Sequence, residues 1–354
     1  MTVTHLDHRS ALEAAIVRRW YGTSPGWLWL LWPLERLFHA VVCGRRARAL
    51  RRRATQPRVP VPVIVVGNIV VGGAGKTPVT MALVRALAES GWRPGIVSRG
   101  HGRQRAQVAR VHADSTVADV GDEPLLLARE TGMPVAVARD RFSAAQQLVD
   151  AGCDVIVADD GLQHYGLVRD IEIGVIPGAR RQGNGHLLPV GPLRETPHRL
   201  AACDYRVVIN GPAAPDEWGI TARAGRLRPI SGAGDSLTLE QLRGTSVVAI
   251  AAIAHPEAFF ATLRAAGLEV EERRFPDHHA FTAADLQVRP DQTLVMTTKD
   301  AVKCGSWTGP RSYMLEYTAE LPTALRAAVL RDVQQHSQRW RQSTPESQTR
   351  IADA

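Results

Sequence analysis

Lysine is nearly absent from this chain of 354 residues: Lys76, Lys299 and Lys303 are its only lysines among 43 basic residues, the remainder being arginine. Cysteine is also scarce. Cys43, Cys153, Cys203 and Cys304 lie far apart with no C-x-x-C pair, which excludes the usual zinc spacings and a disulfide framework and suits a reducing compartment. Long uninterrupted apolar runs are missing as well. The most apolar stretch, WYGTSPGWLWLLWPLERLFHAVVC (20–43), is broken by Pro33, Glu35 and Arg36, whereas a spanning helix needs roughly 20 apolar residues. The basic block follows that stretch instead of preceding it, and no small-residue cleavage site comes after it, so a signal peptide is a poor match.

With 45% hydrophobic residues, the chain is neither disordered nor fibrous, and it is long enough for two ordinary domains. Its net charge of +8 is unevenly placed. Residues 1–60 hold eleven arginines against Asp7, Glu13 and Glu35, which leaves the rest of the chain neutral overall. A nucleic-acid binder would spread basic residues over its folded domain; a block at one end points to a local contact with something anionic. Trp20, Trp27, Trp29 and Trp32, half of the eight tryptophans, fall just before the run GRRARALRRR. Tryptophan favours the membrane interface and arginine the anionic headgroups. The expectation is a monotopic arm on an anionic membrane surface through residues 20–58, on the cytoplasmic side. The plainer alternative is a helical hairpin packed on the main domain with a solvated arginine face. Neither nucleic acid nor an obligate protein partner is expected.

From Val61 the chain alternates apolar β-branched runs with helical patterns. Strands are expected at 62–68, 93–99, 133–139, 154–160, 171–177 and 205–211, with a helix over Val79–Ser90 closed by Gly91. A second set follows at 246–253, 268–275 and 293–300, with a helix over Pro256–Ala266. Such alternation predicts a parallel sheet covered on both faces. The expected class is α/β: a P-loop NTPase core with a RecA-like parallel sheet, a second, smaller α/β lobe and an N-terminal helical membrane-surface arm. The expected bounds are 1–58 for the arm, 59–212 for the core, 213–330 for the smaller lobe and 331–354 for a helix end and a polar, frayed tail.

The best-defined motif is GGAGKT. Gly72, Gly73, Ala74 and Gly75 would present backbone N–H groups at a helix N-terminus, where phosphate is favoured. Lys76 would reach the β and γ phosphates of a nucleotide, and Thr77 would ligate Mg²⁺. The usual pattern has glycine five residues before Gly75, where this chain has Val70. DVIVADDG supplies Asp159 and Asp160 at a strand end, as a magnesium-shell element requires. Asp122 and Glu123 of VGDEP, and the histidines of DHH (Asp277–His279), could orient and deprotonate an acceptor hydroxyl; as pattern alone, surface acids and a satisfied loop histidine are the plainer reading.

Taken in order, GNIVVGGAGKTP (67–78), SRGHG (98–102), VGDEP (120–124), ARDR (138–141), DDGLQH (159–164) with Arg169 and Asp170, LLPVGPLRE (187–195), FPDHHAF (275–281) and TTKDAVKC (297–304) resemble the tetraacyldisaccharide 4′-kinase family. The resemblance implies transfer of the ATP γ-phosphate to the 4′-hydroxyl of a tetraacylated glucosamine disaccharide 1-phosphate, in lipid A biosynthesis, by a peripheral protein at the cytoplasmic face of the inner membrane. It implies Asp122 as the catalytic carboxylate, His278 as its dyad partner and Lys76 as stabiliser of the migrating phosphoryl group. Thr77, Glu123, Asp159 and Asp160 match magnesium or water-shell groups, and Arg141 and Arg194 match arginines facing the phosphates or the disaccharide. The chain departs from the family pattern at His101, Ala254, His255 and Thr298, and His279 is the second choice for the dyad histidine. A rival class, the membrane-associated partition and division-site ATPases, carries a signature lysine where this chain has Val71. A soluble metabolite kinase or ligase on a P-loop scaffold is the other rival.

Overall fold

The computed structural model describes residues 8–103, 107–304 and 307–343; the expected polar tail lies outside the described residues. In chain order the elements are α1 (His8–Trp20), a 3₁₀ turn (Gly26–Leu31), α2 (Trp32–Arg52), β1 (Val63–Gly67), α3 (Lys76–Glu89), β2 (Pro94–Ser98), β3 (Ala109–Arg110), α4 (Val117–Val120), α5 (Asp122–Thr131), β4 (Val135–Val137), α6 (Arg141–Asp150) and β5 (Val155–Ala158). There follow β6 (Ile171–Pro177), α7 (Pro197–Ala201), β7 (Tyr205–Ile209), β8 (Trp218–Ile220), β9 (Arg223–Pro229), β10 (Ser246–Ala251), α8 (Glu257–Ala265), β11 (Glu269–Arg274), β12 (Thr293–Thr297), α9 (Thr298–Ala301), β13 (Ser312–Thr318) and α10 (Thr323–Ser343). The chain divides into two compact units, one of Met1–Lys76, Asp160–Ile220 and Pro322–Ala354, the other of Thr77–Asp159 and Thr221–Leu321.

In the first unit β1, β6, β7 and β8 run parallel, with Ile64 opposite Ile171, Ile173 opposite Tyr205 and Val207 opposite Trp218. All five residues of β1 are buried, as a near-continuous apolar run in a parallel sheet should be. Leu325, Val329 and Val333 are buried at intervals of four along α10, so one stripe of that helix faces the core. Tyr205 Oη donates to Asp332 Oδ2 at 2.7 Å, fixing the helix to β7.

The N-terminal segments are docked on this unit. Trp20 Nε1 donates to the Pro189 carbonyl at 3.0 Å, and Leu28 is buried. Glu35, which interrupts the apolar run, accepts from the Leu187 backbone N–H at 2.8 Å and faces His186 Nδ1 at 3.2 Å. The rest of the arm is exposed: nine of the eleven exposed large hydrophobic side chains among the described residues fall between Leu12 and Leu50. No helix among the described residues is long and apolar enough to cross a membrane.

In the second unit β4, β2 and β5 pair in parallel, and β3 runs antiparallel at the edge. A five-stranded sheet has the order β11-β10-β12-β13-β9, parallel except for β9. Its faces follow the period of two that strand geometry dictates. Val247, Ala249 and Ala251 pack with Phe259, Phe260 and Leu263 of α8, while Val248 and Ile250 pack with Phe281 and Leu286.

β9 and β13 are absent from the sequence-based expectation. RAGRLRP of β9 buries only Leu227 and Pro229 in a charge-rich segment, which masks an edge strand. The run expected as a strand to residue 300 stops at Thr297, because the Thr297 side chain accepts from the Asp300 N–H and starts α9.

Candidate active site

β1 delivers Gly67 and Asn68 to the phosphate loop, and α3 begins at Lys76. Gly75 has φ +73°, and a Cβ there would stand 2.7 Å from Ile209 Cγ2, so only glycine fits. The first half of the loop is clamped: Val71 N–H donates to the Pro192 carbonyl at 3.0 Å and Arg194 N–H to the Ile69 carbonyl at 2.7 Å. Ile69, Val70 and Ala74 are buried in an apolar cluster with Leu187, Leu193 and Leu200. That is the physical reason for valine where the usual pattern has glycine. Gly72 and Gly73 are exposed ahead of the α3 N-terminus, where an anion is favoured.

The same clamp brings Arg194 to the lysine. Lys76 Nζ lies 3.2 Å from Asp160 Oδ1 and donates to Asn68 Oδ1 at 3.3 Å, while Arg194 Nη1 lies 3.7 Å from Asp160 Oδ2. Asp160 has φ +48°, an uncommon backbone state that concentrates at functional sites. Lys76, Asp160 and Arg194 thus form one constellation in the first unit.

The second unit holds the other predicted residues. Thr77, the second residue of α3, is partly exposed. Asp159 is buried just after β5 and accepts from Thr80 Oγ1 at 2.8 Å. Arg141 opens α6 and is buried, following an N-cap formed by Asp140.

Asp122 opens α5, directly after Gly121. That glycine has φ +92°, and an added Cβ would meet the His101 carbonyl at 2.9 Å. His278 Nδ1 donates to Asp122 Oδ2 at 2.8 Å, and Asp122 Oδ1 accepts from the Glu123 N–H at 2.9 Å. His278 also has a left-handed backbone, φ +60°. The Asp122 carboxylate is 5% exposed and the His278 ring 41%, so the pair has a buried anionic end and an open imidazole end. His279 points elsewhere: Nε2 is 3.3 Å from Asp285 Oδ2 and its ring stacks on Phe275 at 4.6 Å.

Lys299 completes this cluster, its Nζ lying 3.4 Å from Asp277, 3.7 Å from Glu123 and 3.9 Å from Asp122. Burial pushes the Asp122 carboxyl up, but Lys299, His278 and Lys303 outweigh it and hold the group below the usual carboxylate value. Burial likewise lowers Lys299, and Glu123, Asp122 and Asp277 more than restore it, so its ammonium stays charged. Motif reading gave Lys299 and Lys303 no role. The available signal was compositional, because all three lysines of an arginine-rich chain carry ion pairs in these polar clusters.

A cavity of about 450 Å³ opens onto the dyad, lined by His101, Val117, Ala118, Asp122, His278 and Phe281 among others. His101, one of the departures from the family pattern, sits with its ring 5.7 Å from that of His278. Ala254 and His255 lie in the turn between β10 and α8, and Thr298 begins α9. That turn is fixed by Asp300, which is fully buried and accepts from the Ala252 N–H at 2.9 Å.

The side chains proposed for magnesium, Thr77, Glu123, Asp159 and Asp160, offer only hard oxygen donors. That is the chemistry Mg²⁺ requires, and Mg²⁺ is commonly held by one or two carboxylates together with substrate phosphates. Among the described residues no three His, Cys, Asp or Glu side chains group so as to hold a metal by themselves.

A family model described as tetraacyldisaccharide-1-P 4′-kinase matches residues 27–334. The chain belongs to this family. A tetraacyldisaccharide 4′-kinase of Xanthomonas euvesicatoria pv. vesicatoria is 48% identical over 310 residues, covering 84% of this chain and 90% of the relative. One from Stenotrophomonas maltophilia is 45% identical over 320 residues, covering 88% and 94%. Among solved structures, the apo-form LpxK of Aquifex aeolicus, crystallised in complex with ATP, superposes with a TM-score of 0.74 at 24% identity, covering 86% of this chain and 99% of that one. The fold is therefore the mixed α/β fold of this kinase family.

Proposed function

We propose that the protein is a lipid kinase that transfers the γ-phosphate of ATP to the 4′-hydroxyl of a tetraacylated glucosamine disaccharide 1-phosphate. Family membership carries the reaction class. The observation that carries the mechanism is the Asp122–His278 hydrogen bond at a cavity large enough for part of a sugar.

The acceptor hydroxyl must lose its proton as its oxygen bonds to the γ-phosphorus and the bond from that phosphorus to the β–γ bridging oxygen breaks, releasing ADP. Asp122, ionised at neutral pH, accepts from His278 Nδ1–H and orients the ring, whose Nε2 lies 3.8 Å from Asp277 Oδ1. The proton passes to this dyad, as general-base catalysis requires. Lys76 and the N–H groups of Gly72 to Gly75 stabilise the charge that spreads over the phosphate oxygens. Arg194 shares the Asp160 carboxylate with Lys76. Arg141 is assigned to the phosphates or the disaccharide through its motif. Bound Mg²⁺, for which Thr77, Glu123, Asp159 and Asp160 are the candidate ligands or water-shell groups, would neutralise phosphate charge.

An acylated acceptor stays in a bilayer, so the enzyme must work at its surface. The exposed Trp27, Trp29, Leu30, Trp32, Leu34, Leu37 and Val41, followed by the arginine block, fit a peripheral arm at an anionic face such as the cytoplasmic leaflet of the inner membrane. The docked hairpin and the membrane arm are then one object, buried on one side and lipid-facing on the other. The test is formation of bis-phosphorylated lipid from Mg-ATP and the disaccharide 1-phosphate in mixed micelles. ATP hydrolysis stimulated by bare vesicles, with no lipid product, would instead support a membrane-associated ATPase switch.

A further inference from the structure

Along α2, Leu34, Leu37, Val41, Arg45, Arg48 and Arg52 follow offsets of 0, 3, 7, 11, 14 and 18 residues. At 100° per residue these positions share one face. All six are exposed, so the stripe is apolar in its first half and cationic in its second. The cationic half lines a groove of about 300 Å³, whose other wall is Gln163, His164 and Tyr165, in and just after the DDGLQH motif. No carboxylate lines the groove, and the Arg45, Arg48 and Arg52 guanidinium groups have no acidic partner within ion-pair distance among the described residues.

The opposite wall is preformed. Arg169, buried beneath it, donates to the carbonyls of Gly161, Leu162 and His164, and Tyr165 Oη donates to Glu195 at 3.0 Å. The wall is also tied to the phosphate loop: Gln163 Nε2 donates to the Asn68 carbonyl at 2.8 Å, and the Asn68 side chain accepts from Lys76. Three unpaired guanidiniums facing a rigid polar wall match a dianionic phosphate monoester, which several forked donors hold well.

We propose that this groove is the subsite for the 1-phosphate of the acceptor lipid, with acyl chains running along Leu34, Leu37 and Val41; this rests on the lipid-kinase reading above. Charge complementarity and the tie to Lys76 favour the acceptor's own phosphate over a neighbouring phospholipid headgroup. A subsite here would recognise the acceptor at the end opposite the hydroxyl that reacts.

The experiment is equilibrium binding of the tetraacyl disaccharide, as its 1-phosphate and as its 1-hydroxyl form, in nonionic micelles free of anionic phospholipid, read by arm tryptophan fluorescence. Full-length wild type is compared with R45Q/R48Q/R52Q and with R45K/R48K/R52K, and thermal melts check that both variants fold. Wild type should prefer the 1-phosphate form by about thirtyfold or more, the glutamine variant by less than about threefold, and the lysine variant should keep most of the preference. A glutamine variant that retains the wild-type preference overturns the proposal, and loss of binding to anionic vesicles alongside it would give the groove to headgroups. Turnover is read on the same samples. Wild type that shows the preference but makes no phosphorylated product would overturn the kinase reading and leave the subsite standing.

Discussion

Lys299→Met removes the cation that most strongly opposes the burial of Asp122. The separation is 3.9 Å, at which a pair with an effective dielectric near 20 gains about 4 kcal/mol. That is an upper bound on what the lysine contributes to keeping the carboxylate ionised. Lys299 is partly solvated and His278 and Lys303 remain in place, so part of that is lost and the Asp122 carboxyl rises. Removing that cation raises the proton affinity of the Asp122–His278 pair proposed as the base, so the acid limb of kcat/KM against pH should move to higher pH. Lys299→Arg, which keeps the charge, should restore most of it. The sign extends to stability. A carboxylate with a depressed folded value stabilises above its unfolded pKa, and that contribution is lost as pH falls through the folded value. The wild-type advantage over Lys299→Met in urea denaturation should therefore be largest near neutrality and shrink as pH drops below about 4. An acid limb that stays in place in Lys299→Met, with the variant folded, would refute this account of the cluster.

Three further outcomes are expected. Lys76→Arg should remain folded yet lose most turnover, since a planar guanidinium does not replace a compact ammonium between Asn68 and Asp160; steady-state kinetics and circular dichroism check this together. Glu35→Ala leaves the buried Leu187 N–H without its acceptor and should cost about 1–3 kcal/mol in chemical denaturation. Replacing Leu30, Leu34 and Leu37, exposed by 82%, 53% and 64%, with serine should reduce sedimentation with phospholipid vesicles while leaving the melting temperature nearly unchanged.

Much of the molecule was legible in the sequence because period and composition report burial directly. The runs expected as strands at 171–177 and 246–253 are apolar and bounded by turn residues, and strands are found at Ile171–Pro177 and Ser246–Ala251. β9 was hidden because an edge strand buries few side chains. Within the phosphate loop, Val70 looked like a defect, although it is a core residue of the clamp between Ile69 and Leu193. Asp122, Glu123, His278 and Lys299 are separated by as many as 177 positions, and only the fold of the second unit brings them together. The dyad histidine needed geometry, because adjacent His278 and His279 are equivalent to any spacing argument and their side chains diverge. Arg45, Arg48 and Arg52 read as an undivided basic block until the helix phase separated them from Arg46 and Arg51.

The central claim is that the Asp122–His278 pair activates the acceptor hydroxyl. Its most direct test is single-turnover transfer of labelled γ-phosphate to the disaccharide 1-phosphate at saturating Mg-ATP, comparing wild type with Asp122→Asn and with nucleotide binding measured on both. The account predicts intact nucleotide binding and a rate reduced by about 10² to 10⁴-fold. A rate within about threefold of wild type, which corresponds to less than about 1 kcal/mol of transition-state stabilisation, would contradict it.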